Sequence, residues 1–166
     1  MTTDLVPKVV DFLFSDTRKI EGVRVEDTLG GGTVDIKGKL VVNCAGPWAD
    51  IVLNIADKAG NSKHQIKRSE GIHILTKKFT TRHAVVMWTP SGRHFFTIPW
   101  RGHQLIGTTD KDYEGNPDDY KVSKKSVQEL IDDTNNSIGD GTLAYEDVTY
   151  AWGIASAGRR PDRRHL

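Results

Sequence analysis

Residues 95–110 read FFTIPWRGHQLIGTTD, a pattern that predicts a strand, a tight turn and a second strand. The second strand runs into four small or polar residues: Gly107, Thr108, Thr109 and Asp110. Hydroxyls and a carboxylate at the end of a buried strand have two explanations. They cap a turn through hydrogen bonds to the backbone, or they line a ligand site. The function of the chain depends on which explanation holds.

Several more segments have the apolar content of strands. The candidates are residues 71–75, 84–88, 95–100, 104–108 and 144–152. Short loops join the later ones, which is typical of antiparallel pairing rather than of parallel strands joined by helices. A helix is predicted after the capping residue Ser123, because Val127, Leu130 and Ile131 recur on one helical face. The pattern predicts an α+β fold, a mainly antiparallel sheet with packed helices.

The first third of the chain predicts a hairpin and a strand–turn–helix unit over residues 40–57. Residues 20–27 and 34–39 alternate on either side of the glycine turn 30–32, and residues 8–14 are an apolar run of undecided type. The continuous apolar run 40–42 predicts a strand covered on both faces. Ala45-Gly46-Pro47 then leads into a helix whose apolar positions are Trp48, Ile51, Val52 and Ile55.

Composition excludes several classes of protein. The chain has 166 residues, 37% of them hydrophobic, and a net charge of +1, so it can form a core but has no field to attract nucleic acid. Its single cysteine, Cys44, allows no internal disulfide and fits a reducing compartment. No apolar run approaches the roughly 20 residues of a membrane span, and the start lacks a signal-peptide pattern. We expect a cytoplasmic protein, with peripheral contact to the inner membrane left open.

Three features are candidates for chemistry, and each also has a plainer explanation. The Ala45-Gly46 corner brings a ligand to backbone N–H groups at a helix start, or is only a turn. His73, between apolar residues of a predicted strand, is a candidate base or a hydrogen-bonded strand residue. Arg93 and Arg101 flank a strand and suit phosphate, although arginines are common at strand ends. No histidines or cysteines have metal-ligand spacing, so no metal site is predicted.

Four separate segments carry a specific series of motifs. They are residues 41–50, VVNCAGPWAD; 71–73, GIH; 96–100, FTIPW; and 105–117, LIGTTDKDYEGNP. In this order they resemble the middle of the FAD-dependent glycerol-3-phosphate dehydrogenases, in the DAO-like flavoprotein superfamily. The last two segments are specific to that family, whereas the first is shared with related flavoenzymes. The resemblance covers roughly residues 10–154.

The resemblance implies both a domain organisation and a reaction. Residues 1–58 would be part of a Rossmann-like FAD-binding domain, and residues 59–154 a substrate-binding domain on an antiparallel sheet. Residues 155–166, which contain four arginines and no apolar period, are predicted to be a disordered tail unrelated to the family. The implied reaction oxidises sn-glycerol 3-phosphate to dihydroxyacetone phosphate, with FAD as cofactor and a quinone as acceptor. The implied site residues are His73 as catalytic base, Arg93, Thr108 and Thr109 for substrate, and Ala45, Gly46 and Trp48 for cofactor.

Two departures from the family pattern shape the expected activity. No GxGxxG occurs in the sequence, and after Ala151-Trp152 the family's Ser-Gly-[Ile/Val]-Arg-Pro-Leu is absent, so that neither Arg159 nor Arg160 is in register. We therefore expect a fragment of such a dehydrogenase that binds FAD weakly or not at all, and that self-associates through apolar surfaces. The alternatives are a non-catalytic remnant or binding module, and an amino-acid-oxidase-like flavoprotein that takes a carboxylate ligand.

Overall fold

A computed structural model describes residues 7–57, 66–77, 82–89, 92–139 and 143–157. The chain divides into two compact units, Met1–Ile66 and Lys67–Leu166. The domain boundary predicted after residue 58 falls outside the described residues.

The first unit contains a three-stranded antiparallel sheet in the order β1-β2-β3. Its strands are β1 (Pro7–Phe14), β2 (Ile20–Asp27) and β3 (Thr33–Lys37). The Asp27 N–H donates to the Gly32 carbonyl at 3.0 Å, and the Gly31 N–H donates to the Asp27 carbonyl at 3.0 Å, which closes the glycine turn. The hairpin prediction is confirmed by β2 and β3. The run 8–14, whose type the sequence left undecided, lies in β1 and completes the sheet.

The strand predicted at residues 40–42 is wrong. Residues 40–45 form no strand, and Leu40 and Val42 are 79% and 68% exposed. A strand buried on both faces needs a neighbour on each side, and no strand in the described part of the chain pairs with this segment. The apolar run therefore has the composition of a central strand, but no neighbouring strand among the described residues pairs with it.

A short helical segment follows. A 3₁₀ turn (Gly46–Trp48) leads into α1 (Ala49–Ala56), as predicted. The buried residue of α1 is polar: the Asp50 carboxylate accepts hydrogen bonds from the backbone N–H groups of Ile51 at 2.9 Å and Ile66 at 3.1 Å. Ile51 is exposed, so the predicted apolar face of α1 is only partly covered.

The second unit is a six-stranded antiparallel sheet in the order β5-β6-β7-β4-β8, with β9 paired to the other side of β4. The strands are β4 (Arg68–Thr76), β5 (Val85–Trp88), β6 (His94–Trp100), β7 (His103–Gly107), β8 (Lys111–Tyr113) and β9 (Val148–Ala157). This confirms the five predicted strands and adds β8. β9 also continues through Ala157, so the predicted tail is wrong for residues 155–157; residues 158–166 lie outside the described residues.

One face of this sheet is covered by α2 (Lys124–Ile138), where the sequence predicted a helix. The Ser123 hydroxyl accepts the Ser126 N–H at 3.0 Å, and Gly139, with φ of +80°, ends the helix. The core cluster joins strand and helix residues: Ile72, Ile74, Phe95, Ile106, Val127, Leu130, Ile131 and Leu143. Since side chains alternate along a strand, His73 lies on the face opposite Ile72 and Ile74. The α+β prediction is confirmed.

Candidate active site

The polar cluster at the end of β7 interrupts the pairing along one side of β4. β7 pairs with β4 up to Gly107 opposite His73, and β8 resumes the pairing at Lys111 opposite Glu70. The three residues 108–110 thus stand opposite only two residues of β4, Gly71 and Ile72. An extra residue of this kind bends the edge away from its partner, and such bulges are common beside active sites.

Thr109 replaces the hydrogen bond that the interruption removes. Its hydroxyl accepts the Ile72 N–H at 3.0 Å, and the residue is only 2% exposed. Thr108 donates its hydroxyl to the Thr109 carbonyl at 3.0 Å. A Cβ at Gly71 would lie 2.7 Å from the Thr108 hydroxyl, so the close approach of the two segments requires glycine there. Part of the polar cluster is therefore a backbone cap, as one of the two explanations predicted.

The same cluster also borders a hollow of about 700 Å³ in the second unit. All four residues predicted for catalysis and substrate binding line it, namely His73, Arg93, Thr108 and Thr109. Other charged or titratable side chains of the lining are Lys67, Arg68, His94, Asp110 and Asp112. The two explanations for the polar cluster are therefore compatible, because Thr109 caps the strand and the cluster also borders a cavity.

His73 is held between its two strand neighbours. It lies opposite Gly107 of β7 and opposite Trp152 of β9. Neither ring nitrogen of His73 hydrogen-bonds to another residue in the described part of the chain. Burial lowers the pKa of the imidazole, which favours the neutral form. A neutral imidazole with unengaged nitrogens can accept a proton from a ligand hydroxyl.

Arg93 reaches the hollow from the loop before β6. Its backbone N–H donates to the Thr89 hydroxyl at 3.1 Å, which fixes the loop. Its guanidinium forms an ion pair with Asp133 of α2, and its Nε is buried with no hydrogen-bond partner among the described residues. Part of the guanidinium is therefore committed to the protein, and Nε remains as a donor without an acceptor.

Sequence reasoning missed Lys67 and Arg68 as residues of the hollow. Two adjacent basic residues just before a predicted strand were the available signal. Arg101, the other arginine considered, is not in the lining; its guanidinium carbon lies 5.4 Å from the centre of the Trp100 ring. No group of residues within the described ranges has the composition of a metal site.

The predicted cofactor residues Ala45, Gly46 and Trp48 belong to the first unit, whereas the described residues that line the hollow all belong to the second unit. The Ala45 N–H donates to the Asn43 side chain at 3.1 Å, and the Trp48 N–H donates to the Ala45 carbonyl at 3.0 Å. Gly46 has φ of +52° and open space where a Cβ would stand. This corner admits a close neighbour.

The described residues do not fit FAD as a whole. The diphosphate of a dinucleotide needs several free backbone N–H groups at a glycine-rich strand–helix turn. Two of the N–H groups at the corner are engaged, the sequence contains no GxGxxG, and every strand pair in the described ranges is antiparallel. The residues that the structure describes therefore supply no diphosphate site.

Comparison with known proteins agrees with the motifs. The family described as "DAO: FAD dependent oxidoreductase" matches residues 8–166. The aerobic glycerol-3-phosphate dehydrogenase of Staphylococcus saprophyticus is 36% identical over 157 residues, 93% of this chain and 27% of that protein. The alpha-glycerophosphate oxidase of Streptococcus pyogenes serotype M18 is 33% identical over 158 residues, 93% of this chain and 25% of that protein.

Solved structures share the fold. The X-ray structure of the glycerol-3-phosphate dehydrogenase from Bacillus halodurans, complexed with FAD, superposes with a TM-score of 0.80 at 32% identity, over 90% of this chain and 30% of that one. The L-proline dehydrogenase from P. horikoshii gives a TM-score of 0.65 at 19% identity, over 95% of this chain and 39% of that one, a likeness of fold alone.

The extent of the match corrects one prediction and defines the family. It includes residues 155–166, which were expected to be unrelated to the family. The chain spans about a quarter of the length of the curated relatives it matches. Because the family match covers nearly the whole chain, the chain belongs to the DAO family of FAD-dependent oxidoreductases.

Proposed function

We propose that this chain carries the substrate-binding part of an enzyme that oxidises sn-glycerol 3-phosphate to dihydroxyacetone phosphate. The observation that carries the proposal is the hollow itself, where His73 lies with three basic side chains, Lys67, Arg68 and Arg93. The names of the relatives, glycerol-3-phosphate dehydrogenase and alpha-glycerophosphate oxidase, support the choice of substrate.

The residues of the hollow have complementary roles in this proposal. A phosphate group is recognised by guanidinium and ammonium donors, and Arg93 Nε is a buried donor without a partner among the described residues. His73, kept neutral by burial, takes the proton of the C2 hydroxyl as the alcohol is oxidised. FAD is the cofactor of the family, and when bound it would supply the acceptor for the hydride removed from C2. Its site would need residues beyond those that the structure describes.

Calorimetric titration of the full chain tests the proposed substrate. We expect sn-glycerol 3-phosphate to bind and inorganic phosphate to compete with it, while glycine, the ligand type of an amino-acid oxidase, gives no heat. Arg93→Ala should weaken binding about tenfold or more, since a charge-assisted hydrogen bond is worth about 1.5–3 kcal/mol. Arg101→Ala is the matched control, because this arginine lies outside the hollow. Binding of glycine in place of the phosphate ester would favour the amino-acid-oxidase alternative, and no binding of either would favour a remnant.

The partners of the enzyme are part of the same proposal. A quinone acceptor and contact with the inner membrane are proposed from the resemblance to the dehydrogenases. Among the described residues no helix is long and apolar enough to cross a bilayer. Self-association is proposed from the exposed apolar side chains of the second unit: Val86, Trp88, Phe96, Trp100, Tyr150 and Ile154. Sedimentation that gives a single 18.5 kDa species would argue against it.

A further inference from the structure

The His73 imidazole lies between two residues of the neighbouring strands, Gly107 of β7 and Trp152 of β9. On the β7 side, a Cβ at Gly107 would lie 2.4 Å from His73 Cδ2 and 2.9 Å from Nε2. No side chain fits there, so the ring occupies the space above the Gly107 backbone. On the β9 side, the ring stacks on Trp152, with 5.5 Å between the ring centres and an angle of 12° between the planes.

This arrangement restricts the ring from both sides. Directly opposed residues of neighbouring strands are the closest side-chain pairs of a sheet, and His73 is opposed to Gly107 and Trp152 at once. With no hydrogen bond to the ring nitrogens from the described residues, packing is what orients the imidazole. The stacked indole on one side and the glycine on the other together set the orientation of the imidazole ring.

We propose that Trp152 is a positioning residue for His73. The Trp152 indole, together with the missing side chain at Gly107, fixes the plane of the imidazole and shields the imidazole from water. The inference rests on the proposed role of His73 as a base. It assigns to Trp152 no contact with substrate. The other charged or titratable groups of the hollow are Lys67, Arg68, Arg93, His94, Asp110 and Asp112. From β9, Tyr150 is the nearest titratable side chain, with its ring 5.8 Å from that of Trp152.

The test is an NMR titration of the His73 imidazole in the full chain and in two variants. Trp152→Ala should raise the His73 pKa toward the ordinary value of about 6.5, because the ring gains contact with water. Trp152→Phe should keep most of the depression, since an aromatic ring still stacks. Trp100→Ala, which removes another exposed tryptophan of the unit, should leave the His73 titration unchanged.

Two outcomes would overturn the proposal. One is a His73 titration that is the same in Trp152→Ala and the unsubstituted chain. The other is the absence of nuclear Overhauser contacts between the two rings in the unsubstituted chain, a measurement that needs no variant to fold. Neither depends on glycerol 3-phosphate. A failure of the calorimetric titration would therefore count against the proposed function and leave the positioning of His73 standing, and the reverse also holds.

Discussion

The two units of the chain bury very different amounts of apolar surface. In the second unit, α2 and the six-stranded sheet enclose a core of eight apolar residues. In the first unit the buried apolar side chains among the described residues are Phe12 and Val25, and several others are exposed, including Leu29, Val34, Ile36, Leu40 and Val42. The hollow therefore stands on a sheet with its own core, whereas most of the large apolar side chains named in the described part of the first unit are exposed.

The largest expected effect comes from a matched pair of isoleucines. Ile74 of β4 is 0% exposed and Ile36 of β3 is 49% exposed. Ile74→Ala should cost about 2–5 kcal/mol of unfolding free energy, because it removes buried methyl groups and leaves a cavity. Ile36→Ala should cost well under about 1 kcal/mol. Urea denaturation followed by circular dichroism measures both, and equal losses would break the contrast between the units.

The next effect concerns the cap of the interrupted edge. Thr109→Val removes the hydroxyl that accepts the Ile72 N–H and leaves a buried donor without its partner. The expected cost is about 1–3 kcal/mol. Thr108→Val is the control, since its hydroxyl only donates to the Thr109 carbonyl at a half-buried position. Amide exchange of Ile72 should accelerate in the Thr109 variant alone; unchanged exchange would show that the hydroxyl is dispensable.

A smaller effect of opposite sign is expected at Tyr120. Its hydroxyl is buried without a hydrogen-bond partner among the described residues, and burial, followed by the Glu70 charge, raises its pKa. Tyr120→Phe removes this unsatisfied group, so stability should stay level or rise by up to about 1 kcal/mol. Tyr145→Phe, at an exposed tyrosine, is the control and should change little. A loss of more than about 1 kcal/mol of unfolding free energy in Tyr120→Phe would contradict this prediction. Such a loss is typical of removing a hydrogen bond, and the described part of the structure shows none at this hydroxyl.

The smallest effect is the contribution of His73 to the pH dependence of stability. Its pKa is lower in the folded chain than in the unfolded one, where it is about 6.5. The unfolded state therefore binds a proton more readily, so this contribution to stability is full above about pH 6.5 and is lost as pH falls through the folded pKa. His73→Gln should flatten the curve over that range, and His94→Gln, at an exposed residue, serves as control. An unchanged slope in His73→Gln would contradict the assigned shift.

Sequence patterns were sufficient where local chemistry and burial agreed. Alternation and short loops predicted β4 to β7, and Ser123 with the spacing of Val127, Leu130 and Ile131 predicted α2. The family motifs predicted that His73, Arg93, Thr108 and Thr109 would come together, and all four line one hollow. Their roles as site residues remain predictions.

The remaining features depend on partners that a linear pattern does not contain. The run at 40–42 has the composition of a central strand, yet a strand forms only where neighbours pair with it. The stack of Trp152 on His73 depends on the register between β4 and β9, which are almost 80 residues apart in sequence, and the ion pair of Arg93 depends on where α2 crosses the sheet. β8, with three residues, is too short for periodicity to reveal.

The count of residues in the interrupted edge has a consequence for comparing relatives. Three residues, 108–110, face two on β4. Deleting one would let β7 and β8 merge into a single continuous strand, and the backbone would then fill the space that Thr108 and Asp110 now border. The length of this segment, more than the identity of its threonines, is thus a marker that can be read from an alignment. A homologue with a one-residue gap here would be expected to lack this part of the hollow.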